Sequence, residues 1–544
     1  MNNRNEIVAA LCAGGLCLAG PALAQAPDPE PSSKALQLTT FATFTTAPGS
    51  GAIDLDHPKD GSGRVFVSTN EGKIHGFSAA GDPLGVFLDL GAAGVAPDLR
   101  RTFRLTTNGL SYIAFHPEYA VAGAAGEGKL YTMYMSTVPG LRAPDYSGTD
   151  LPTRPGDTRA QYVLAEWTVD AADPDRIDPA SRREVLRIEF SGRVVDSHSV
   201  GALAFNPFAA PGDADYGTLY IPLGDMNNGS GNPNWQHVQD RDNPFGKILR
   251  INPLAAGADP YSVPADNPYA DGGPLLDDDG NAEEIAAWGF RNPQNLSFAK
   301  DAGGAGRLIV FDIGNEDFEE LTIVDLADNH GWTRYDGPAD GNPDTILRLP
   351  PGSTLEWPAA AYDHTIPNTP GAPPTTEPSA IVGGFVAGDP ADPDFQNQVI
   401  FGDLPRGAFF HADFDEVLAA DAADIQAPMY VMNVTVDGAG PGSFRDLLSL
   451  SRGDPRFGVD ESGRLFVISR QLDTVFVTNM VADQQPDALC PADCDEDGAL
   501  TFFDFLCFQN LFAMGDPGAD CDGDGELTFF DFLCFQNAFA AGCS

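Results

Sequence analysis

Gly463-Arg464-Leu465-Phe466-Val467 is a short turn followed by a β-rich run, and five similar segments precede it along the chain. The first apolar residues of the six segments stand at positions 65, 130, 219, 308, 399 and 465. Six recurrences of one strand pattern, with little helical periodicity between them, are typical of radial β repetition. The spacing leaves room for four short strands per repeat. The sequence therefore predicts an all-β fold, a six-bladed β-propeller over residues 39–482. The alternative is a β-sandwich, which does not need even spacing.

A second repeat lies at the end of the chain, where residues 493–504 recur as residues 520–531. Each copy places oxygen-bearing side chains at loop positions 1, 3, 5, 9 and 12, with glycine at position 6, which is the spacing of a calcium loop. Each loop runs into an apolar segment that we expect to be a short helix. The alternative is a merely acidic, solvated tail. The predicted calcium ligands are Asp493, Asp495, Asp497, Thr501, Asp504, Asp520, Asp522, Asp524, Thr528 and Asp531.

The aspartate at position 12 of both loops differs from the EF-hand glutamate, and the tandem repeat resembles dockerin modules. This resemblance implies a small α-helical module over residues 490–544, joined by a linker at 483–489, that docks to a protein partner. The module's phenylalanines have an alternative role in its own core. No Lys or Arg follows Arg470. Without calcium the carboxylates of each loop would repel one another, so we expect metal binding and folding to be coupled.

The amino terminus has the pattern of a secretory signal. Arg4 precedes an apolar run, and Ala22-Leu23-Ala24 fits the small-x-small cleavage rule, so residues 1–24 are predicted to be removed and the protein exported. An uncleaved anchor is the alternative. Residues 25–38 are predicted to be a flexible lead-in. Export agrees with a disulfide-stapled tail, although six cysteines allow 15 pairings. These are Cys490, Cys494, Cys507, Cys521, Cys534 and Cys543.

The formal net charge is −47. Such an acidic chain is a poor partner for nucleic acid, because phosphate backbones are bound by Lys and Arg. No segment after the signal is apolar enough to predict a membrane span. A site for an anionic cofactor would have to gather the few basic residues locally.

His198 and the Gly224-Asp225 pair are the strongest catalytic candidates. Oxidation of a hydroxyl requires loss of a hydride and a proton. A histidine accepts a proton near neutral pH, and a carboxylate fixes its tautomer and raises its basicity. A single loop histidine has a structural alternative.

The order of motifs resembles the glucose/sorbosone dehydrogenases, soluble sugar dehydrogenases that use pyrroloquinoline quinone (PQQ). The motifs are Phe115-His116-Pro117, His198, Gly224-Asp225, Gly246-Lys247-Ile248-Leu249-Arg250, Pro264-Ala265-Asp266-Asn267-Pro268 and Gly289-Phe290-Arg291-Asn292-Pro293-Gln294.

The resemblance implies His198 as general base, Asp225 as the group that orients it, and Arg291 at the quinone as a catalytic residue. Cofactor binding is carried over to Arg291, Asn292, Arg406 and Arg445, with surface ion pairs as the alternative for the last two. It also implies a calcium ion beside PQQ, with Asp312 as a ligand.

The chain differs from the family's pattern at Thr107, Phe290 and Pro405, where the family has polar partners for the cofactor. The first hypothesis is an exported dehydrogenase that oxidises an aldose or polyol and passes electrons to an external acceptor. The second is a non-catalytic propeller that binds a glycan or protein, as in the related Hedgehog-interacting proteins. A calcium-dependent propeller hydrolase is the third.

Overall fold

The computed structural model describes seventeen segments of the chain, to which all structural statements below refer. They are residues 26–100, 109–138, 140–147, 158–192, 198–226, 235–271, 273–275, 282–315, 317–340, 345–388, 392, 395–482, 494, 502–515, 519, 521 and 527–541. The chain divides into two compact units, one formed by residues 1–32 and 36–480 and the other by residues 33–35 and 481–544.

The larger unit consists mainly of β-strands, beginning with β1 (Glu30–Thr43). Two sheets of mostly antiparallel strands follow. The first contains, in spatial order, β2 (Ala52–Asp56), β3 (Val65–Thr69), β4 (Lys73–Phe77) and β5 (Pro83–Asp89). The second contains β6 (Leu110–Phe115), β7 (Lys129–Ser136), β9 (Thr158–Asp170) and β10 (Asp173–Gly192), with the short β8 (Tyr146–Ser147) beside β10.

The third and fourth sheets carry the segments that matter for the site. The third contains β11 (Ala204–Phe205), β12 (Leu219–Leu223), β13 (Lys247–Ile251) and β14 (Ile285–Trp288), extended by β18 (Asp328–Asn329) and β21 (Thr354–Leu355). The fourth contains β15 (Pro293–Lys300), β16 (Gly306–Asp312), β17 (Phe318–Val324) and β22 (Ala360–Asp363). A separate pair is formed by β19 (Tyr335–Asp336) and β20 (Ala339–Asp340).

The last sheet has nine strands because β1 joins two groups of consecutive strands. Its order is β23 (Ile381–Val386), β24 (Gln398–Asp403), β25 (Phe409–Asp413), β26 (Tyr430–Val436), β1, β30 (Thr474–Ala482), β29 (Leu465–Ser469) and β28 (Pro455–Val459), with β27 (Ala439–Gly442) on β26. Helices α1 (Phe414–Asp421) and α2 (Phe444–Leu447) and the 3-10 turn Trp235–Val238 lie between strands.

The consecutive strands that pair with one another in these sheets form six series, and β1 completes the last of them. All six recurrent segments identified in the sequence are strands, and each is the second strand of its series. They are β3, β7, β12, β16, β24 and β29. The mainly β character of the chain is thus confirmed, while the number of blades stays a prediction. The first strands of different series pack against one another: β2 contacts β6 and β28, and β23 contacts β15 and β28. Asp54 and Asp56 of β2 join β2 to β6 by accepting from the backbone N–H groups of Ile113 and Phe115, at 2.9 and 2.8 Å.

The sheets are stabilised by apolar side chains on both faces. Every residue of β7 except Lys129 is buried, and Trp167 in β9 and Trp288 in β14 are inaccessible to solvent. Phe66 and Phe87 pack with ring centroids 4.4 Å apart. Burial of one such side chain contributes about 1.5–3 kcal/mol. The region without cysteines is therefore stabilised by its buried apolar core.

The structure corrects the predicted flexible lead-in, because residues from Glu30 onward form β1, between β26 and β30. The prediction rested on a Pro- and Ser-rich composition. Leu36 and Leu38 are buried, however, and the backbone of β1 is satisfied by two neighbouring strands. Hydrogen bonding and burial across a large sequence separation outweigh a weak local preference.

The smaller unit contains two helices of equal length, α3 (Phe502–Met514) and α4 (Phe529–Ala541), which confirms the helices expected after each acidic loop. Phe508 and Phe535 stack at 4.2 Å in its core, so these two rings have the packing role left open by the sequence. Disulfides join Cys494 to Cys507 and Cys521 to Cys534. Cys490 and Cys543 lie outside the described residues. Within the described segments, no helix has the length and apolar character needed to span a bilayer.

Candidate functional site

His198 and Asp225 lie together where two chain segments meet, just before β11 and just after β12. His198 Nδ1 is 2.9 Å from Asp225 Oδ1. The side chain of His198 is 11% exposed and that of Asp225 only 2%. Gly224 permits this approach, since a Cβ atom there would lie 2.5 Å from the carbonyl oxygen of His198. The pair is therefore fixed by backbone packing, with the histidine at the edge of solvent.

Asp225 has further partners that restrain it. Its Oδ2 accepts from the indole N–H of Trp332 at 3.1 Å, and its backbone N–H donates to the carbonyl of Arg291 at 2.8 Å. His237 Nε2 lies 3.1 Å from the backbone carbonyl of Asp225. These contacts come from three separate segments of the chain. They restrain the residue whose carboxylate contacts the His198 ring.

The protonation states of the pair are set by opposing effects. Burial lowers the pKa of His198 below its usual value, and the nearby Arg291 charge lowers it further, while Asp225 acts in the opposite direction. Burial alone would raise the pKa of Asp225, but the charge and hydrogen bond of His198, together with Arg291, hold it below its usual value. At neutral pH the arrangement is thus a neutral imidazole held by an ionised carboxylate. No described residue hydrogen-bonds Nε2 of His198, which leaves that nitrogen available to a substrate.

Arg291 is positioned at the start of the fourth sheet. Its guanidinium donates to the carbonyls of Ile313 and Gly314 at 2.8 and 2.5 Å, and it lies 5.6 Å from the centre of the Trp332 ring. Its Nε is buried and has no partner among the described residues. A buried donor without an acceptor is costly, and an acceptor brought by a ligand would satisfy it.

Asp312 fixes the backbone of the Arg291-Asn292 motif. Its two carboxylate oxygens accept from the N–H groups of Arg291 and Asn292 at 2.9 and 2.6 Å. Burial raises its pKa to about 7. Glu320 is its cross-strand partner, and burial together with the charge of Asp312 raises the pKa of Glu320. These carboxyl groups therefore favour the protonated state more than surface carboxylates do.

The predicted calcium ligand Asp312 is thus occupied by two backbone donors. In the described segments, no group of three or more His, Cys, Asp or Glu side chains has an arrangement that could hold a metal ion. Calcium also accepts backbone carbonyl oxygens as ligands. The calcium site beside Asp312 stays a prediction.

The remaining predicted cofactor residues are held by protein groups. Arg406 is fully buried, and its guanidinium donates to carbonyls that include those of Ile366 and His364, at 3.0 and 2.6 Å. Arg445 pairs with the Glu377 carboxylate at 2.9 Å. The structure therefore brings His198, Asp225 and Arg291 together, whereas Arg406 and Arg445 stabilise the segment between β22 and β23.

The three positions that differ from the family's pattern have different surroundings. Phe290 is buried and stacks on His330 with ring centroids 4.4 Å apart. Burial lowers the pKa of His330 to about 3, so this imidazole is neutral. The carbonyl of Pro405 accepts from Gly453 at 3.2 Å. Thr107 lies outside the described residues.

Two other motifs stabilise the third sheet. Arg250, at the end of the Gly246–Arg250 motif, donates to Asp266 at 2.7 Å and to Asn267 at 2.9 Å. Asn267 in turn donates to the carbonyl of Arg250 at 2.9 Å. Arg250 and Asn267 therefore hold the two motifs together, while Gly246 donates its backbone N–H to the carbonyl of Gly224, next to Asp225, at 3.0 Å.

Of the predicted tail ligands, Asp504, Thr528 and Asp531 are described. Asp504 and Asp531 are fully buried, and Asp531 accepts from the backbone N–H groups of Cys521 and Thr528 at 2.9 and 2.7 Å. The carboxylate of Asp531 is thus held by the backbone of two described residues that precede α4. The other seven predicted ligands are outside the described residues: Asp493, Asp495, Asp497, Thr501, Asp520, Asp522 and Asp524.

Sequence reasoning missed the roles of Trp332 and His237. Trp332 follows Asn329-His330-Gly331 in a segment considered only for calcium, and neither residue stands in a motif that indicates contact with Asp225. Their roles depend on which segments meet in space, for which the local sequence carries no signal.

The profile of the glucose/sorbosone dehydrogenase family matches residues 54–427. The chain belongs to this family. The matched residues include the His198, Asp225 and Arg291 positions and Arg406, while Arg445 and the tail lie beyond the match.

The HIPL1 protein of Arabidopsis thaliana is 27% identical over 381 residues, which cover 64% of this chain and 50% of that protein. The HIPL2 protein of the same plant is 26% identical over 387 residues, with 65% and 51% coverage. The chain thus spans about half the length of these curated relatives. The crystal structure of the soluble aldose sugar dehydrogenase from Escherichia coli, in the apo-form, is similar with a TM-score of 0.50 and 15% identity. That alignment covers 82% of this chain and 99% of the other, and it shows a common fold.

Proposed function

We propose that this protein is a PQQ-dependent sugar dehydrogenase that oxidises a hydroxyl group of an aldose or polyol. The observation that carries the proposal is the linked set of His198, Asp225 and Arg291, with a 2.9 Å contact between the first two. Membership of the glucose/sorbosone dehydrogenase family supports it. The fold of the similar Escherichia coli protein, an aldose sugar dehydrogenase by name, agrees with it.

In the proposed reaction His198 Nε2 accepts the proton of the substrate hydroxyl as the carbonyl forms. Asp225 keeps Nδ1 protonated, so that Nε2 has its lone pair available, and it stabilises the imidazolium that results. PQQ, when bound, supplies the acceptor for the hydride that leaves the same carbon atom. An external electron acceptor is then needed to return the cofactor to its oxidised form.

The residues present fit the quinone end of such a cofactor. Arg291 Nε is a buried donor without a partner among the described residues, and donors of this kind stabilise negative charge on a quinone oxygen. Asn292 is the next residue and is proposed to bind there as well. Arg406 and Arg445 are proposed to contribute positive charge without direct hydrogen bonds to the cofactor, since their donors already have protein acceptors.

The finer architecture belongs to the same proposal. We propose that the six strand series are six blades, with β1 closing the last, and that the tail is a dockerin-like calcium module with a protein partner. The consecutive pairing of first to last strands in each series supports the blades. The two disulfides and two equal helices support the tandem module. Export after removal of residues 1–24 is proposed on the signal-like sequence and agrees with these disulfides.

A non-catalytic propeller that binds a glycan or protein is the second candidate. The observation that favours it is the full engagement of Arg406 by backbone carbonyls, which leaves the cofactor's carboxyl groups with fewer cationic partners. The two candidates differ in one measurable property, namely turnover.

The deciding experiment mixes the full chain with PQQ and calcium, adds a panel of aldoses and polyols, and follows reduction of an artificial acceptor. His198→Ala is expected to lower turnover by about 10²–10⁴-fold, the usual contribution of a general base, while the absorbance change on PQQ binding persists. His75→Ala, at a half-buried histidine of β4, is the matched control and should leave turnover unchanged. Absence of both turnover and PQQ binding in the wild type would overturn the dehydrogenase and favour the second candidate.

A further inference from the structure

A cavity of about 380 Å³ lies among the first strands of all six series. It is lined by residues 54–56 of β2, 113–115 of β6 and 295–298 of β15, by Phe457 and Val459 of β28, and by residues of β11 and β23. It continues past the carboxyl ends of β2 and β6 to His57 and His116. His198 and Arg291, in contrast, precede β11 and β15. The cavity is therefore separate from the His198 site, and none of His198, Asp225 and Arg291 lines it.

The walls of the cavity carry buried polar atoms that have no partner in the described segments of the chain. They include the hydroxyl of Ser297, Nδ1 of His57 and Nε2 of His116. These residues are 2%, 9% and 2% exposed, respectively. A buried hydroxyl or imidazole nitrogen without a partner destabilises the folded protein. Several such atoms around one cavity indicate that the hydrogen bonds are made to a molecule inside it.

The charges of the lining restrict what that molecule can be. Asp54, Asp56, Glu461 and one ammonium group, that of Lys59, are part of the lining, while the lining carboxylate of Asp460 is paired with Arg464 at 2.7 Å. Burial raises the pKa of Asp54 to about 7 and raises that of Asp56 above its usual value. Asp54 and Asp56 form no ion pair with any described residue and use one oxygen each to bind the backbone of β6. An anion would be repelled by this lining. A metal ion is disfavoured because the described residues contain no suitable group of three ligands.

The other walls are aromatic. Phe115, Phe298 and Phe457 are among the lining residues and are 6%, 8% and 3% exposed. Ligand cavities of this size usually combine apolar walls with a few convergent polar groups. Carboxylate acceptors, a hydroxyl and imidazole nitrogens match a molecule with many hydroxyl groups, while flat apolar rings match the C–H faces of such a molecule.

We propose that this cavity binds a neutral polyhydroxylated compound of the size of one sugar ring. Ser297 and His57 bind its hydroxyl groups, and the two aspartates of β2 accept from them. The site is independent of the His198 chemistry, so it can exist whether or not the protein turns over a sugar.

The test measures binding of D-glucose and D-xylose to the full chain by titration calorimetry, without added quinone. Ser297→Ala removes a hydroxyl that has no protein partner, so the melting temperature should stay equal or rise. Loss of one hydrogen bond to the sugar should weaken binding about fivefold. Ser469→Ala is the matched control, since Ser469 in β29 is also fully buried with an unpartnered hydroxyl but does not line the cavity.

Equal affinities for the wild type and both variants would overturn the proposal, because any sugar would then be bound elsewhere and the cavity would hold water alone. D-gluconate tests the chemical class, since its carboxylate meets an acidic lining and should bind about tenfold more weakly than D-glucose. Comparable binding of gluconate would contradict a site for neutral compounds. Repeating the titration with Ser297→Ala on a His198→Ala background separates the two sites, because the fivefold loss must persist there.

Discussion

The indole N–H of Trp332 donates to Oδ2 of Asp225 at 3.1 Å, although 107 positions separate the two residues. The same ring lies against the guanidinium of Arg291. Trp332 therefore contacts both the group that orients His198 and the proposed quinone-binding arginine. We regard it as a positioning residue of the site.

Trp332→Phe should lower kcat/KM by about tenfold, the effect of losing a hydrogen bond to a charged group. Without the indole donor the Asp225 carboxylate is less neutralised, so this carboxylate should raise the pKa of His198 further. The acid limb of the pH profile is then expected to move to higher pH. Trp167→Phe is the control, because Trp167 is fully buried and donates to Thr132 at 2.9 Å far from these residues in the sheet order. A lower rate with an unmoved acid limb would assign Trp332 a merely structural role.

Asp328→Asn should make the protein more stable at higher pH relative to the wild type. Asp328 is 5% exposed, and burial, followed by repulsion from Glu356 and Asp325, raises its pKa to about 8. Between about pH 4 and pH 8 the folded protein then binds a proton that the unfolded chain does not, so this group's contribution to stability falls as pH rises through that window. An asparagine does not ionise and avoids this loss.

The measurement for Asp328→Asn is the free energy of unfolding of both proteins, from urea denaturation at pH 5 to pH 8. The difference in favour of the variant should grow by at least about 1.4 kcal/mol, which corresponds to one pKa unit. Asp301→Asn is the control, since Asp301 also accepts from one backbone N–H, that of Ala305, but is more exposed. A difference that does not change with pH would contradict the raised pKa of Asp328.

Calcium should bind to the C-terminal unit with a stoichiometry that falls by one in Asp504→Asn and by one in Asp531→Asn. Both carboxylates are fully buried and stand at position 12 of their loops, where a calcium loop supplies a ligand. Titration calorimetry of the full chain measures the stoichiometry, with Asp415→Asn in α1 as the control. Chymotrypsin cleavage should increase when calcium is chelated, since folding of the loops depends on the metal. Unchanged stoichiometry in both variants would contradict the calcium loops.

The local sequence was sufficient to predict those strands and helices whose pattern is confined to a short segment. The six recurrent runs are apolar and β-branched, with turn residues before most of them, and each forms a second strand. The apolar segments after the acidic loops form α3 and α4. Composition gave a wrong prediction at Glu30–Thr43, because a Pro- and Ser-rich segment gives no indication that it will pair with two strands distant in sequence.

The sequence by itself determined the strand and helix types and singled out His198, Asp225 and Arg291 as candidates for reactive groups, because side-chain chemistry and periodicity are properties of short segments. Only the tertiary structure decided which of these groups lie together. It joined Asp225 to Trp332, engaged Arg406 with backbone carbonyls, and opened a cavity between six first strands. The reason is physical: contacts between different sheets depend on packing across long sequence separations, and the local sequence leaves those contacts open.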